Sequence, residues 1–367
     1  MAVDLTVTDG SKLFTEVVRA AGTGVNTERM WHLEGFVRTV ERRAAELTVG
    51  TAHELLDAVA ATGNRYSWKA SALASAFACG AFVFLLGGGP VEMLLAALGA
   101  GAGQAVRKLL GARHVNHFAT TMLAVAVACF VYLAVLMLVD LAVPGAAARY
   151  QAGYIGAILF VIPGFPLITA GLDIARMNLA SGIERFTYAV CVIGTATLAA
   201  WFVAKLTTLY PADLVSPDLG PALLTLARAA ASFVGVFGFS VLFSSPPAMA
   251  ARAAGIGAVA NTLRLSLVGF AALPPEVATL VGAFAAGLLA AVVAPRSHMP
   301  RVTLTVPSIV IMVPGLYLYE AVYYLCDFDV LDAMGWGMRA AAVIVCLPVG
   351  LALARIATDP SWRHDRV

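Results

Sequence analysis

The chain is built from apolar blocks of roughly 17–25 residues that are nearly free of charge, a length that crosses a hydrocarbon core about 30 Å thick. That pattern predicts an all-α membrane protein. Composition agrees: 60% of the 367 residues are apolar and 13% charged, against about 45–50% and about 25% in a soluble domain. The first half holds five expected spans, at 69–88, 90–106, 118–142, 153–172 and 184–206. The second half holds five more, at 221–243, 248–268, 276–295, 303–323 and 338–356. The seventh is the weakest, because Arg252 and Arg264 sit at its ends and Asn261 lies within it.

Residues 1–66 are polar and contain no signal-peptide core. They read as a small helical segment. Thr27–Val49 carries Trp31, Leu33, Phe36, Val37 and Val40 at near-helical spacing, and Thr51-Ala-His-Glu54 has the form of a capping box opening a second helix to about Ala61. Met1–Val7 has the character of a short strand. So small an apolar face is expected to pack on the membrane part or on another subunit.

Two apolar spans are broken at matching places. Val161–Arg185 is interrupted by Pro163-Gly164, and Ser308–Glu320 by Pro314-Gly315. Proline removes a backbone donor and crowds the preceding turn, and glycine weakens the helix further. Freed carbonyls at membrane depth are tolerated only where protein or a water-filled cavity satisfies them. Paired broken spans in two halves of a chain point to a transporter's solute site. A packing kink is the bland alternative.

The halves also resemble each other elsewhere. The segment from Pro90 to Arg107 aligns with that from Pro246 to Arg264, and Ile162-Pro163-Gly164 aligns with Val313-Pro314-Gly315. With the N-terminus inside, ten spans place all 24 Lys and Arg on the inner side except Arg149, Lys205, Arg228, Arg264 and Arg339. That bias puts both termini in the cytoplasm. Five spans per repeat then invert the second half relative to the first. The expected segments are an N-terminal cytosolic one (1–66), two five-span repeats (67–210 and 211–358) and a cytosolic tail (359–367).

Charge near the breaks supplies further candidates. Asp173 lies about 15 Å along a helix from Pro163, near the cytoplasmic end. It is spaced to pair with Arg176 at i, i+3, and either an interfacial ion pair or a gate fits. Glu320 lies about 9 Å beyond Pro314, an acid at membrane depth that is functional by default. Tyr317, Tyr319, Tyr323 and Tyr324 read as an aromatic belt at the outer interface. Gly99, Gly101 and Gly103 read as a helix-packing face rather than a nucleotide loop. The cysteines, four of them inside apolar blocks, read as small buried residues without metal or redox spacing. No cofactor, metal site or enzyme nucleophile is expected.

Pro163-Gly164, then Asp173, then Ser181-Gly182-Ile183-Glu184-Arg185, resembles the threonine/serine exporter family of bacterial membrane proteins. Gly24-Val25-Asn26-Thr27, Leu86-Gly87-Gly88 and the Val-Pro-Gly at 313–315 follow in the family's order, so the resemblance covers roughly 15–356. It implies export of L-threonine and L-serine driven by the proton motive force, across a bacterial inner membrane. On this reading Pro163, Gly164, Pro314 and Gly315 line the substrate site, and Asp173, Ser181, Arg185 and Glu320 serve coupling or gating, with Arg185 the charge partner of Asp173. The expected partners are a small amino acid and membrane lipid, not nucleic acid, with homo-oligomerisation left open. The rival readings are a passive channel or pore for small polar solutes and a non-transporting assembly partner.

Overall fold

A computed structural model describes residues 2–8, 13–19, 24–43, 46–207 and 209–363. The chain opens with an antiparallel hairpin, β1 (Ala2–Thr8) and β2 (Leu13–Arg19), in which Ala2 faces Arg19 and Thr8 faces Leu13. The N-terminal segment is therefore a hairpin plus two helices rather than purely helical: the strand expected over Met1–Val7 is present from Ala2, and a second strand pairs with it. The helices are α1 (Thr27–Arg43) and α2 (Val49–Ala60). The second starts earlier than its Thr-x-x-Glu motif suggested. Thr48 is the N-cap, and its hydroxyl accepts from the Thr51 N–H at 3.2 Å, which leaves Thr51 inside the helix.

The first half continues with α3 (Trp68–Leu85), α4 (Pro90–Ala112) and α5 (His117–Ala142). Short turns follow: α6 (Ala146–Arg149), a 3₁₀ turn at Gln151–Gly153, α7 (Tyr154–Ala157) and a 3₁₀ turn at Leu159–Val161. These lead into α8 (Gly164–Ala175) and α9 (Leu179–Leu206). The second half has α10 (Pro221–Leu242), α11 (Pro247–Ala271) and α12 (Pro275–Ser297). Then come α13 (Arg301–Ile309), a 3₁₀ turn at Val310–Met312, α14 (Gly315–Cys326), α15 (Val330–Thr358) and a last turn, α16 (Pro360–Arg363). The starts follow local chemistry. Ser67 and Asn116 cap α3 and α5 with side-chain oxygens, and Pro90, Pro221, Pro247 and Pro275 occupy first helical positions, where a missing N–H costs nothing.

Seven of these helices are long and apolar enough to cross a bilayer, and nine spans result if each broken pair counts as one. The helix expected as the second span, α4, is not among the seven, because Glu92, Gln104, Arg107 and Lys108 dilute its apolar character. It is nonetheless 23 residues long and packed between α3 and α5. The doubtful seventh span is one continuous helix, α11. Cys79 and Cys129 are buried, whereas Cys191 is exposed, so not every cysteine is a core residue.

The packing repeats between the halves. In the first, α4 packs on α3, α5 and α7; in the second, α11 packs on α10, α12 and α13. The halves then exchange elements, with α8 lying against α15 and α14 against α9. Across the junction α3 and α10 run antiparallel: a Cβ on Gly238 would lie 2.6 Å from the Ala74 carbonyl oxygen, and one on Gly235 would meet Ala81.

Two faces result. On one, α1 docks onto the turns of the second half. The Thr27 N–H donates to the Phe243 carbonyl at 3.0 Å, and the Thr27 and Ser245 hydroxyls are 2.7 Å apart. Tyr66 donates to the Ser245 carbonyl at 2.7 Å, and the Trp31 indole to the His298 carbonyl at 2.9 Å. Helix α1 thus packs on the membrane part of its own chain, and α2 packs on α1. On the opposite face the fully buried Glu92 ties the α3–α4 turn to the segment joining the halves, accepting from the Gly89 N–H at 2.8 Å and the Val215 N–H at 3.3 Å.

Candidate functional site

Both Pro-Gly breaks fold the same way. Pro163 has φ −81° and ψ 62°, and Pro314 has φ −80° and ψ 58°. The Gly164 N–H donates back to the Ile162 carbonyl, and the Gly315 N–H to the Val313 carbonyl, each at 2.8 Å. These are inverse γ-turns centred on proline, and they bend their helix pairs by 58° and 50°. Proline's missing donor and ring clash forbid the continuous ladder, so the chain closes a three-residue turn and restarts as α8 or α14. Each restart carries the positive end of a helix dipole. In α8 the Gly164 N–H is used in the γ-turn, Pro166 has none and the Leu167 N–H donates to the Pro163 carbonyl, which leaves Phe165 as the first-turn donor.

The two turns meet. A narrow cavity with room for about one water lies between them, lined by Phe82, Leu159, Ile162 and Gly164 from the first half and Phe239, Val310, Val313 and Gly315 from the second. Every lining residue has its counterpart in the other half. A Cβ on Gly164 would lie 2.5 Å from Val310 Cγ2 and 3.2 Å from Val313 Cγ2. One on Gly315 would lie 2.6 Å from Leu159 Cδ2 and 3.7 Å from Ile162 Cγ1. The glycines therefore let the two breaks close on one another, and Pro163, Gly164, Pro314 and Gly315 converge on one locus.

The charged candidates lie apart from it. Asp173 Oδ2 is 2.9 Å from Arg185, across the turn from α8 to α9, and is 23% exposed. Its partner is Arg185 rather than Arg176, whose guanidinium stacks instead over the Trp362 ring at 4.5 Å. Gly182 makes this possible, since a Cβ there would lie 2.6 Å from Ile174 Cγ1 and 3.1 Å from the Ala170 carbonyl oxygen. Ser181 sits half-buried in the first turn of α9. Because Arg185 is 40% exposed, solvent screens the pair, and a double-mutant cycle of Asp173→Ala and Arg185→Ala read by thermal unfolding is expected to give a coupling of about 1 kcal/mol or less.

Glu320 sits on α14 beyond the second break, 7% exposed, and its Oε2 has no hydrogen-bond partner among the described residues. Beside it Tyr319, 1% exposed, meets Tyr154 hydroxyl to hydroxyl at 2.5 Å with their rings edge to face. Tyr319 and Tyr323 are buried and so belong to the core rather than to an interfacial belt, whereas Tyr317 and Tyr324 are half-buried. Sequence reasoning missed the Tyr154–Tyr319 link because the two residues are 165 positions apart and do not occupy equivalent places in the two halves. The glycine face of α4 is as expected: Cβ atoms on Gly99 and Gly103 would each lie 2.7 Å from a carbonyl oxygen of α5, at Ala128 and Ala124.

Comparison with known proteins bears on this arrangement. Residues 1–207 match the family described as "Putative threonine/serine exporter", and residues 228–357 match "Threonine/Serine exporter, ThrE". A curated relative from Mycobacterium tuberculosis, "Probable threonine/serine exporter", is 25% identical over 337 residues, which is 88% of this chain and 61% of that protein. The chain thus spans about three-fifths of the length of this relative. No solved structure matches.

Proposed function

Since the chain belongs to the threonine/serine exporter family, we propose that it is a secondary active transporter exporting small amino acids, L-threonine and L-serine, driven by the proton motive force. The observation that carries this reading is the meeting of two matched γ-turn breaks at one cavity. The positive ends of two half-helix dipoles suit an α-carboxylate, and carbonyls around Pro163 and Pro314 suit an ammonium. The closed breaks would have to part to admit an amino acid.

The exchange of α8 and α14 between the halves, with the antiparallel run of α3 and α10, supports an inverted pair of repeats, 67–210 and 211–358, with α4 as a tenth span. The face that carries α1 would be cytoplasmic in a bacterial inner membrane, because Lys and Arg gather there. Glu320, buried with one unpartnered oxygen, is a better placed coupling group than Asp173, which is ion-paired and more exposed. Asp173, Arg185 and Ser181 would then serve an inner gate.

Counterflow in proteoliposomes tests the reading. Internal unlabelled threonine is expected to accelerate entry of labelled threonine, as a carrier requires. Entry without trans-stimulation would indicate a pore, and no entry of threonine or serine would remove the substrate assignment.

A further inference from the structure

Between the breaks and the two faces lie polar side chains that the reading above leaves unused. In the second half they are mutually bonded. Arg264 Nε donates to Thr279 Oγ1 at 3.0 Å, and its NH1 to Asn261 Oδ1 at 3.2 Å. The Asn261 amide in turn donates to Ser232 Oγ at 2.9 Å. Asn261 and Thr279 are fully buried.

The corresponding places in the first half hold Gln104, Arg107 and Thr121. The antiparallel register of α4 and α5, fixed by Gly99 against Ala128 and Gly103 against Ala124, brings Arg107 level with Thr121 one turn further on. Here the bonds are not made. Gln104, 3% exposed, and Thr121, 0% exposed, each carry a side-chain oxygen with no partner among the described residues. Arg107 makes one long contact, 3.4 Å to the carbonyl of Phe160 in the 3₁₀ turn just before the first break. The same chemistry is thus satisfied internally on one side of the cavity and left open on the other. Buried polar groups normally find partners. The Arg107 guanidinium and the Thr121 hydroxyl can both donate to an anion with planar oxygens, whereas the open Gln104 atom is an amide oxygen, an acceptor suited to a donor group beside that anion.

We propose that Arg107 and Thr121, with Gln104 beside them as an acceptor, form a carboxylate-binding subsite on the α1 side of the breaks, with Asn261, Arg264 and Thr279 as its counterpart on the far side. The inference rests on the reading of the chain as an amino-acid carrier and adds the groups that hold the substrate's charge on the way to and from the central cavity. In the present conformation Arg264 is bonded internally, while Arg107 has the long contact to the Phe160 carbonyl.

Thermal unfolding of the purified full chain in detergent separates this inference from the transport reading. The ligands are L-threonine, L-serine, L-lactate and, lacking the carboxylate, L-threoninol. A ligand that binds the folded state raises the unfolding temperature in proportion to its saturation. L-Threonine is expected to stabilise the wild type and L-threoninol is not. Thr121→Val, nearly isosteric, is expected to need about ten-fold more threonine for the same shift, as loss of a hydrogen bond to a charged group implies. Arg107→Gln is expected to abolish the shift and Arg107→Lys to retain part of it. If lactate stabilises in an Arg107-dependent manner while threonine does nothing, the carboxylate subsite stands and the amino-acid reading falls. If no carboxylate stabilises the wild type, or if threonine shifts Thr121→Val and Arg107→Gln as it shifts the wild type, the subsite is overturned.

Discussion

Gly164→Ala is expected to suppress threonine counterflow by about ten-fold or more, through overpacking at the point where the halves touch. The added methyl would lie 2.5 Å from Val310 Cγ2, with Val313 Cγ2 at 3.2 Å behind it. A β-branched neighbour has little rotamer freedom with which to retreat, so the strain falls on the backbone of the opposite turn. Overpacking of this kind costs about 1–3 kcal/mol, which lowers the unfolding temperature without unfolding the protein outright. Gly315→Ala is expected to be milder, because its methyl meets Leu159 Cδ2, the end of a longer side chain, at 2.6 Å. Combining Gly164→Ala with Val310→Ala removes the colliding group and is expected to restore most of the counterflow. Wild-type counterflow in the single variant, or no recovery in the double, would show that close apposition of the breaks plays no part in transport.

The parts of this arrangement that depend on local chain chemistry were legible in the sequence. Helix bounds follow hydropathy and Pro or Gly punctuation, and the break at Pro163 is written in a missing N–H. Its twin at Pro314 could be paired with it because both breaks follow an aliphatic residue in the same order of spans. What the sequence did not disclose depends on what lies across the fold. Helical spacing offered Arg176 to Asp173 while the family resemblance implied Arg185, and what decides for Arg185 is that α8 ends at Ala175 and the turn that follows delivers it. Tyr319 stood among tyrosines that look interfacial, yet the bend at Pro314 turns it inward onto Tyr154. The N-cap at Thr48 was obscured because Thr48 and Thr51 offer equivalent hydroxyls, and only the backbone decides which one caps. Gln104 stood unremarked beside the glycine-rich packing face, and Arg107 counted among the inner-side charges. Their likeness to Asn261 and Arg264 acquires meaning once both pairs are seen to flank the same cavity.

Glu320→Gln is expected to leave threonine counterflow intact while removing threonine accumulation driven by an imposed pH gradient. Counterflow exchanges substrate for substrate and needs no net proton movement, whereas uphill transport requires a group that binds and releases a proton in step with the conformational cycle. Glu320 is 7% exposed and its Oε2 is unpartnered, so a movement that opened α14 to the segment joining the halves would change its solvation and with it its hold on a proton. Glutamine keeps the shape and cannot ionise, which makes a folding defect small and isolates the proton. Asp173→Asn provides the contrast. Its ion pair with Arg185 is partly exposed at both ends and contributes about 1 kcal/mol or less, so uphill accumulation is expected to survive, with at most a changed rate of gating. Accumulation by Glu320→Gln at the wild-type level, together with its loss in Asp173→Asn, would transfer the coupling role to the inner pair. Loss in Glu320→Gln alone, with counterflow preserved, ties proton movement to α14 and therefore to the half-helix that begins at the second break.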